Sequence, residues 1–205
     1  MIEFFTAPAP NGWKVAIMLE ECGLAYQPRW VNLAAGDQHS QEYLAINPNG
    51  RIPALVDGDL VLFESLAINS YIAMKSGSDL SPKSVAEGAT SEQWSLWAMT
   101  ETEKPLLRAL FHSLGVMGYE KDPAIVAGCM DELARPFKVL DGHLADLDYL
   151  MGGRFTIADL NVASVLAWAA TARLDLSAYL NLDKWLKTCL GRASYQKLRA
   201  IQKGE

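Results

Sequence analysis

The stretch NGRIPALVDGDLVLFES, residues 49–65, decides how this chain folds. Two short apolar runs, Ala54-Leu55-Val56 and Leu60 to Phe63, flank the turn Asp57-Gly58-Asp59 and spell a β-hairpin. Glu64-Ser65 then opens a helix reaching about Lys75, which makes a β-β-α unit. Ahead of the hairpin, the Ile52-Pro53 bond is one that tolerates the cis form, and a sharp turn there leaves the Ile52 amide unpaired with any strand. The plainer alternative is that Pro53 only begins an edge strand. Ser65 suits a helix N-cap, and the free N–H groups of a first helical turn attract anions. A cap alone gives no reason for the carboxylate of Glu64 immediately before it.

Working towards the N-terminus, NPNG at Asn47–Gly50 closes a short helix, QEYLAI. Tyr26 to Leu33 alternates as a strand does, and Trp13 to Cys22 reads as a helix ending at Gly23. Ile2 to Phe5 is a short apolar strand. Between that strand and the first helix, Pro8 and Pro10 stiffen a loop that ends in Asn11-Gly12, either a turn and cap or a loop aimed at a ligand. Towards the C-terminus, SGSDLSPKS at Ser76–Ser84 has the composition of a linker. Beyond it the periodic segments are helical: Glu87 to Gly115, Pro123 to Leu147, Thr156 to Ala172, Asp183 to Leu190 and one near Tyr195. Thr156 and Asp159 form a capping box, with a structural role. The fold class is therefore α/β plus all-α. A thioredoxin-like β-α-β-α-β-β-α domain over residues 1–76 is followed by a linker, 77–85, and an all-helical domain, 86–205.

With 205 residues, 50% of them hydrophobic and 20% charged, the chain can bury a sizeable core. A net charge of −6 leaves no basic excess to displace phosphate counterions, so nucleic acid is not an expected partner. The longest apolar segment, VASVLAWAATA from Val162, is too short to span a bilayer, and no signal-peptide pattern begins the chain, so a cytoplasmic protein without a membrane partner is expected. Cys22, Cys129 and Cys189 are scattered and contain no C-x-x-C pair, which removes thioredoxin-type dithiol chemistry. His112 and His143 have no metal spacing, and no nucleotide fingerprint is present, so neither a metal nor a nucleotide cofactor is expected.

In this order and spacing, NGRIPALVDGDLVLFES, the FTIADLNVA capping-box segment and APNGWKV make the chain resemble a cytosolic glutathione transferase from Ile2 to about Leu198. APNGWKV resembles the bacterial Nu-type enzymes and their fungal prion-protein relative, mainly through Pro10-Asn11-Gly12 and Lys14. The resemblance implies a homodimer whose helical halves form the interface, with glutathione as substrate rather than cofactor. It places the Ile52 amide, before the cis-proline Pro53, on the cysteinyl backbone of glutathione. Ser65 and its amide would take the γ-glutamyl carboxylate, and Glu64 the ammonium. Gln38 and Arg51 would take the glycyl carboxylate, His39 being a weaker candidate, and solvated surface is the alternative for each. Glu101, on the first long helix of the helical half, would cross to the partner's ligand, with a solvated helix face as its alternative.

Catalysis would then turn on glutathione's thiol, which is mainly protonated at neutral pH unless a donor or a helix N-terminus favours the thiolate. No Tyr, Ser or Cys lies between Ala7 and Lys14, and Thr6 stands early in the loop, which leaves Asn11 as the candidate donor. Nu-type relatives add a Thr two residues before it, where this chain has Ala9. The expected function is a glutathione transferase, whose thiolate attacks a hydrophobic electrophile or reduces a disulfide or peroxide. The rival reading is a noncatalytic glutathione-fold binding or regulatory module. Trp94, Trp97, Phe111, Tyr119 and Trp168 divide between helical core and a second-substrate pocket.

Overall fold

The computed structural model describes the backbone of residues 1–203 and the side chains of residues 1–198. The chain divides into two compact units, Met1–Ser81 with the C-terminal helix from Ala193, and Pro82–Arg192.

In the first unit four strands, β1 (Ile2–Thr6), β2 (Tyr26–Trp30), β3 (Ala54–Asp57) and β4 (Leu60–Phe63), lie in the order β2-β1-β3-β4. β1 runs parallel to β2, with Phe4 opposite Pro28, and antiparallel to β3, with Phe4 opposite Leu55. Alternation along β1 sends Ile2, Phe4 and Thr6 into the core beside helices α1 (Pro10–Cys22) and α3 (Ser65–Ser76). Phe5 points the other way and meets Tyr43 of the short helix α2 (Gln41–Leu44) edge-on, centroids 6.1 Å apart. The sheet is thus covered on both faces, with Val15, Met18 and Leu19 of α1 fully buried. The β-α-β-α-β-β-α order is as expected.

Helix α1 begins earlier than its periodicity suggests. Pro10 occupies the first helical position, where its fixed φ and missing N–H cost nothing, so Asn11-Gly12 lies inside the first turn and caps nothing. The N-cap is Ala9, which offers no side-chain acceptor. At α3 the expectation shifts by one residue: the N-cap is Glu64, and Ser65 is the first helical residue.

The second unit holds α4 (Val85–Trp97), α5 (Glu103–Leu114), α6 (Pro123–His143), α7 (Ile157–Thr171) and α8 (Leu180–Leu190). The long helix expected from Glu87 to Gly115 is broken by a π turn over Ala98–Thr102. Pro105 explains it: a proline has no N–H for the carbonyl four residues back, that of Glu101, and its ring would collide with it. The wider turn relieves that collision, and the Thr102 hydroxyl donates to the Ala98 carbonyl at 2.7 Å. Helix α9 (Ala193–Lys203), which the sequence places with the helical domain 86–205, clusters with the first unit instead. Lys197 Nζ lies 2.7 Å from Glu20, and the Ser194 hydroxyl donates to Glu21 at 2.5 Å, both on α1.

Helix α7 is buried on nearly all sides, as an apolar helix at the centre of a bundle must be. Trp94 and Trp168 are core, while Tyr119 is exposed. The expected capping box of Thr156 and Asp159 is present. Asp159, with no exposure to solvent, also accepts from Leu150 N at 2.8 Å and Trp185 Nε1 at 3.0 Å, so one carboxylate joins the start of α7 to the preceding loop and to α8. Burial raises its pKa, and the donors around it pull the other way. No helix among the described residues is long and apolar enough to cross a membrane, and no group of three or more metal-ligating side chains occurs among them.

Asp159→Asn keeps the shape of the side chain but leaves one oxygen for donors that now share two. A loss of about 3 kcal/mol of unfolding free energy is expected. Urea denaturation followed by circular dichroism measures it; an unchanged midpoint would remove Asp159 as the tie between these elements.

Candidate functional site

One end of the sheet unit collects most of the residues that the motifs single out. The first turn of α1 stands directly on the end of β1. A Cβ on Gly12 would fall on the Thr6 hydroxyl and lie 2.8 Å from the Ala7 carbonyl, so only glycine permits this approach. The buried Thr6 hydroxyl meanwhile donates to the Ala7 carbonyl at 3.3 Å. The first backbone bond of the helix runs from Trp13 N to Ala9 O, which leaves the Asn11 and Gly12 amides ahead of it without an intrahelical acceptor. Asn11 Oδ1 is buried and has no partner among the described residues. Lys14, two residues on from Gly12, is buried, and Asn69 Nδ2 of α3 lies 3.5 Å from its carbonyl.

Helix α3 starts in the same manner. Its first backbone bond runs from Ile68 N to Glu64 O at 2.9 Å, so the amides of Ser65, Leu66 and Ala67 have no intrahelical acceptor. No side chain caps them. Ser65 is buried, whereas Glu64 is exposed and has φ 72°, a left-handed conformation that a non-glycine residue adopts only when its surroundings enforce it. Other helices are closed differently. Ser40, Ser84 and Asp122 cap α2, α4 and α6 from their own N-caps, Thr156 boxes α7, and Asp141 accepts from Asn181 N and Leu182 N at the start of α8.

The loop between these helix ends carries the Ile52-Pro53 bond, which is cis. The Arg51 carbonyl accepts from the Tyr43 hydroxyl and from Asn47 Nδ2, each at 2.7 Å. Burial pushes the Tyr43 phenol up to about 12, with the Asn47 hydrogen bond opposing, so it stays a protonated donor at any ordinary pH. Gly50, at φ 60°, admits the neighbouring loop: a Cβ there would sit 2.8 Å from His39 Nδ1 and 3.2 Å from Gln38 O. Gln38, in the turn Asp37–His39, thus has its carbonyl against Gly50, the residue before Arg51, and its buried Oε1 has no partner among the described residues.

Glu101 belongs to the second unit, exposed on the π turn. The three cysteines are free thiols: Cys22 at the far end of α1, Cys129 on α6 and Cys189 on α8. A cavity of about 470 Å³ opens beside β2 and α2, lined by Phe5, Trp30, Val31, Tyr43 and Ile46 among others, and includes none of the predicted site residues. Sequence reasoning missed Tyr43, Asn47 and Gly12. Asn47 carried a signal as the first residue of the NPNG turn; Tyr43 and Gly12 matter through contacts made only once the chain has folded back, Tyr43 with Arg51 and Gly12 with Thr6 and Ala7.

The Glutathione S-transferase, N-terminal domain family model matches residues 2–74, and the Glutathione S-transferase, C-terminal domain model matches residues 98–193. Glutathione S-transferase 3 of Zea mays is 38% identical over 199 residues, covering 92% of this chain and 88% of its own. The disulfide-bond oxidoreductase YfcG of Escherichia coli is 34% identical, covering 100% of this chain and 98% of its own. Among solved structures, a glutathione transferase family member from Pseudomonas fluorescens, crystallised with two glutathione bound, superposes with a TM-score of 0.81 at 31% identity, covering 96% of this chain and 91% of that one.

Gly12→Ala drives a methyl group into the Thr6 hydroxyl and the Ala7 carbonyl. Overpacking of this kind is expected to cost about 1–3 kcal/mol, read as a lowered denaturation midpoint. An unchanged midpoint would mean that the first turn of α1 does not rest on β1.

Proposed function

Because the chain belongs to the glutathione S-transferase family, we propose that it binds glutathione at the open ends of α1 and α3 and uses the ligand's thiolate as a nucleophile. The observation that carries this is the pair of helix N-termini without side-chain caps in one unit, with free amides at Asn11, Gly12, Ser65, Leu66 and Ala67. Free first-turn amides favour negative charge, and glutathione brings both a carboxylate and a thiolate.

In this reading the γ-glutamyl carboxylate lies on Ser65 and the first turn of α3, with Glu64 taking the ammonium. The Ile52 amide, before cis Pro53, pairs with the cysteinyl backbone, and Gln38 and Arg51 hold the glycyl carboxylate. The thiolate lies at the first turn of α1. There the Asn11 side-chain amide donates to sulfur together with the Asn11 and Gly12 N–H groups, doing the work that a hydroxyl does elsewhere and that Ala9 cannot do. The thiolate then adds to an electrophilic carbon, or attacks one sulfur of a disulfide, forming a mixed disulfide and releasing the other sulfur as a thiolate. No further cofactor enters either reaction.

The wider assignment is a cytoplasmic homodimer, whose helical half supplies the interface and the second-substrate pocket and whose Glu101 reaches the partner's ligand. Membership of the Nu-type group rests on Pro10-Asn11-Gly12 and Lys14. The disulfide branch draws support from the end-to-end likeness to the Escherichia coli disulfide-bond oxidoreductase.

Asn11→Ala tests the centre of the proposal. Losing one hydrogen bond to a charged sulfur is expected to raise the pKa of the bound thiol by about one to two units, followed by thiolate ultraviolet absorbance against pH, with glutathione still retained. An unchanged thiol pKa would rule out Asn11 as the activating group. Ser65→Ala is expected to raise KM for glutathione about tenfold. Retention on immobilised glutathione without turnover of a model electrophile or a mixed disulfide would reduce the protein to a binding module.

A further inference from the structure

The Arg51 carbonyl and the Ile52 N–H belong to one planar peptide unit and point to opposite sides of the chain. Whatever holds the carbonyl therefore aims the amide. Two side chains hold it, the Tyr43 hydroxyl and Asn47 Nδ2, each donating at 2.7 Å.

Both donors are themselves fixed. Tyr43 and Asn47 are 5% and 2% exposed. The Tyr43 ring packs edge-on against Phe5 of β1, in a cluster with Val31 and Ala54. Asn47 N donates to Tyr43 O at 2.8 Å, Asn47 Oδ1 accepts from Asn49 N and Nδ2 at 3.1 Å, and Gly50 N donates back to Asn47 O at 2.9 Å. A carbonyl gripped by two such donors cannot swing. The Ile52 N–H opposite it donates to no acceptor among the described residues.

A structural tie for the loop needs no second donor and no free amide opposite it. We propose that Tyr43 and Asn47 are positioning residues for glutathione: gripping the Arg51 carbonyl, they aim the Ile52 amide at the cysteinyl carbonyl of the ligand and strengthen it as a donor. The strengthening follows from polarisation, since hydrogen bonds to one end of a peptide unit increase the donor character of the other. Tyr43 reaches the site only through this peptide. The proposal rests on the reading that the Ile52 amide binds the glutathione backbone.

Two full-length variants test it. Tyr43→Phe keeps the packed ring and removes one donor; Asn47→Asp keeps the acceptor for Asn49 and removes the other. Without ligand, the ¹⁵N resonance of Ile52 is expected to move upfield in both, reporting loss of the bond to the Arg51 carbonyl. Titration calorimetry is expected to show glutathione bound about three- to tenfold more weakly by Tyr43→Phe. KM for glutathione should rise by the same factor while kcat at saturation holds, because the contact is made equally in ground and transition states. Variants that bind glutathione as tightly as the wild type, or that leave the Ile52 resonance in place, would overturn the proposal. Wild-type protein that binds no glutathione, or binds it without moving the Ile52 resonance, would instead overturn the underlying reading of the site.

Discussion

The first turn of α1 can rest on the end of β1 because residue 12 has no side chain. A Cβ at Gly12 would occupy the space of the Thr6 hydroxyl, and from this one close approach the rest of the candidate site follows. It sets the helix end, with its free amides, at the edge of the sheet. It also leaves α1 pressed against α3, where Asn69 and the buried Lys14 lie between the two helices. A helix pushed outward by even one methyl group would carry the Asn11 amide away from the place where the proposed chemistry needs it.

The starts of α1 and α3 are treated differently from most other helix starts in the chain. In the helical unit the start of α7 is closed by Thr156 and Asp159, that of α6 by Asp122, and that of α8 by Asp141 from another helix. In the sheet unit α1 and α3 have no side-chain cap, and the residue before α3 is held at a positive φ. Omitting a cap costs about 1 kcal/mol per helix, and a strained Glu64 adds to that. A chain that closes α2, α4, α6, α7 and α8 with side chains and leaves the starts of α1 and α3 open keeps those two ends available for an anion.

The fold was legible because its signals are local. The DGD hairpin, the period of α1, the linker composition and the Thr156–Asp159 box each occupy a few consecutive residues. Two corrections came from proline chemistry: Pro10 starts α1 three residues before its apolar pattern begins, and Pro105 places a π turn inside a segment whose periodicity reads as one helix. Helix α9 lies beside α1, where Lys197 meets Glu20 and Ser194 meets Glu21 across most of the chain, pairings that no window of sequence displays. For the same reason the motifs pointed to Ile52 and Pro53 but not to Tyr43, whose hydroxyl reaches Arg51 only after the loop has folded back. Residues that touch a ligand tend to sit inside motifs, whereas residues that aim them are recruited by packing.

The most direct measurement is a crystal structure of the protein with glutathione. The γ-glutamyl carboxylate is expected within about 3 Å of Ser65 N, and the sulfur within about 3.5 Å of Asn11 Nδ2. A ligand bound away from the first turns of α1 and α3, or a sulfur turned from Asn11 towards another group, would contradict the proposed site.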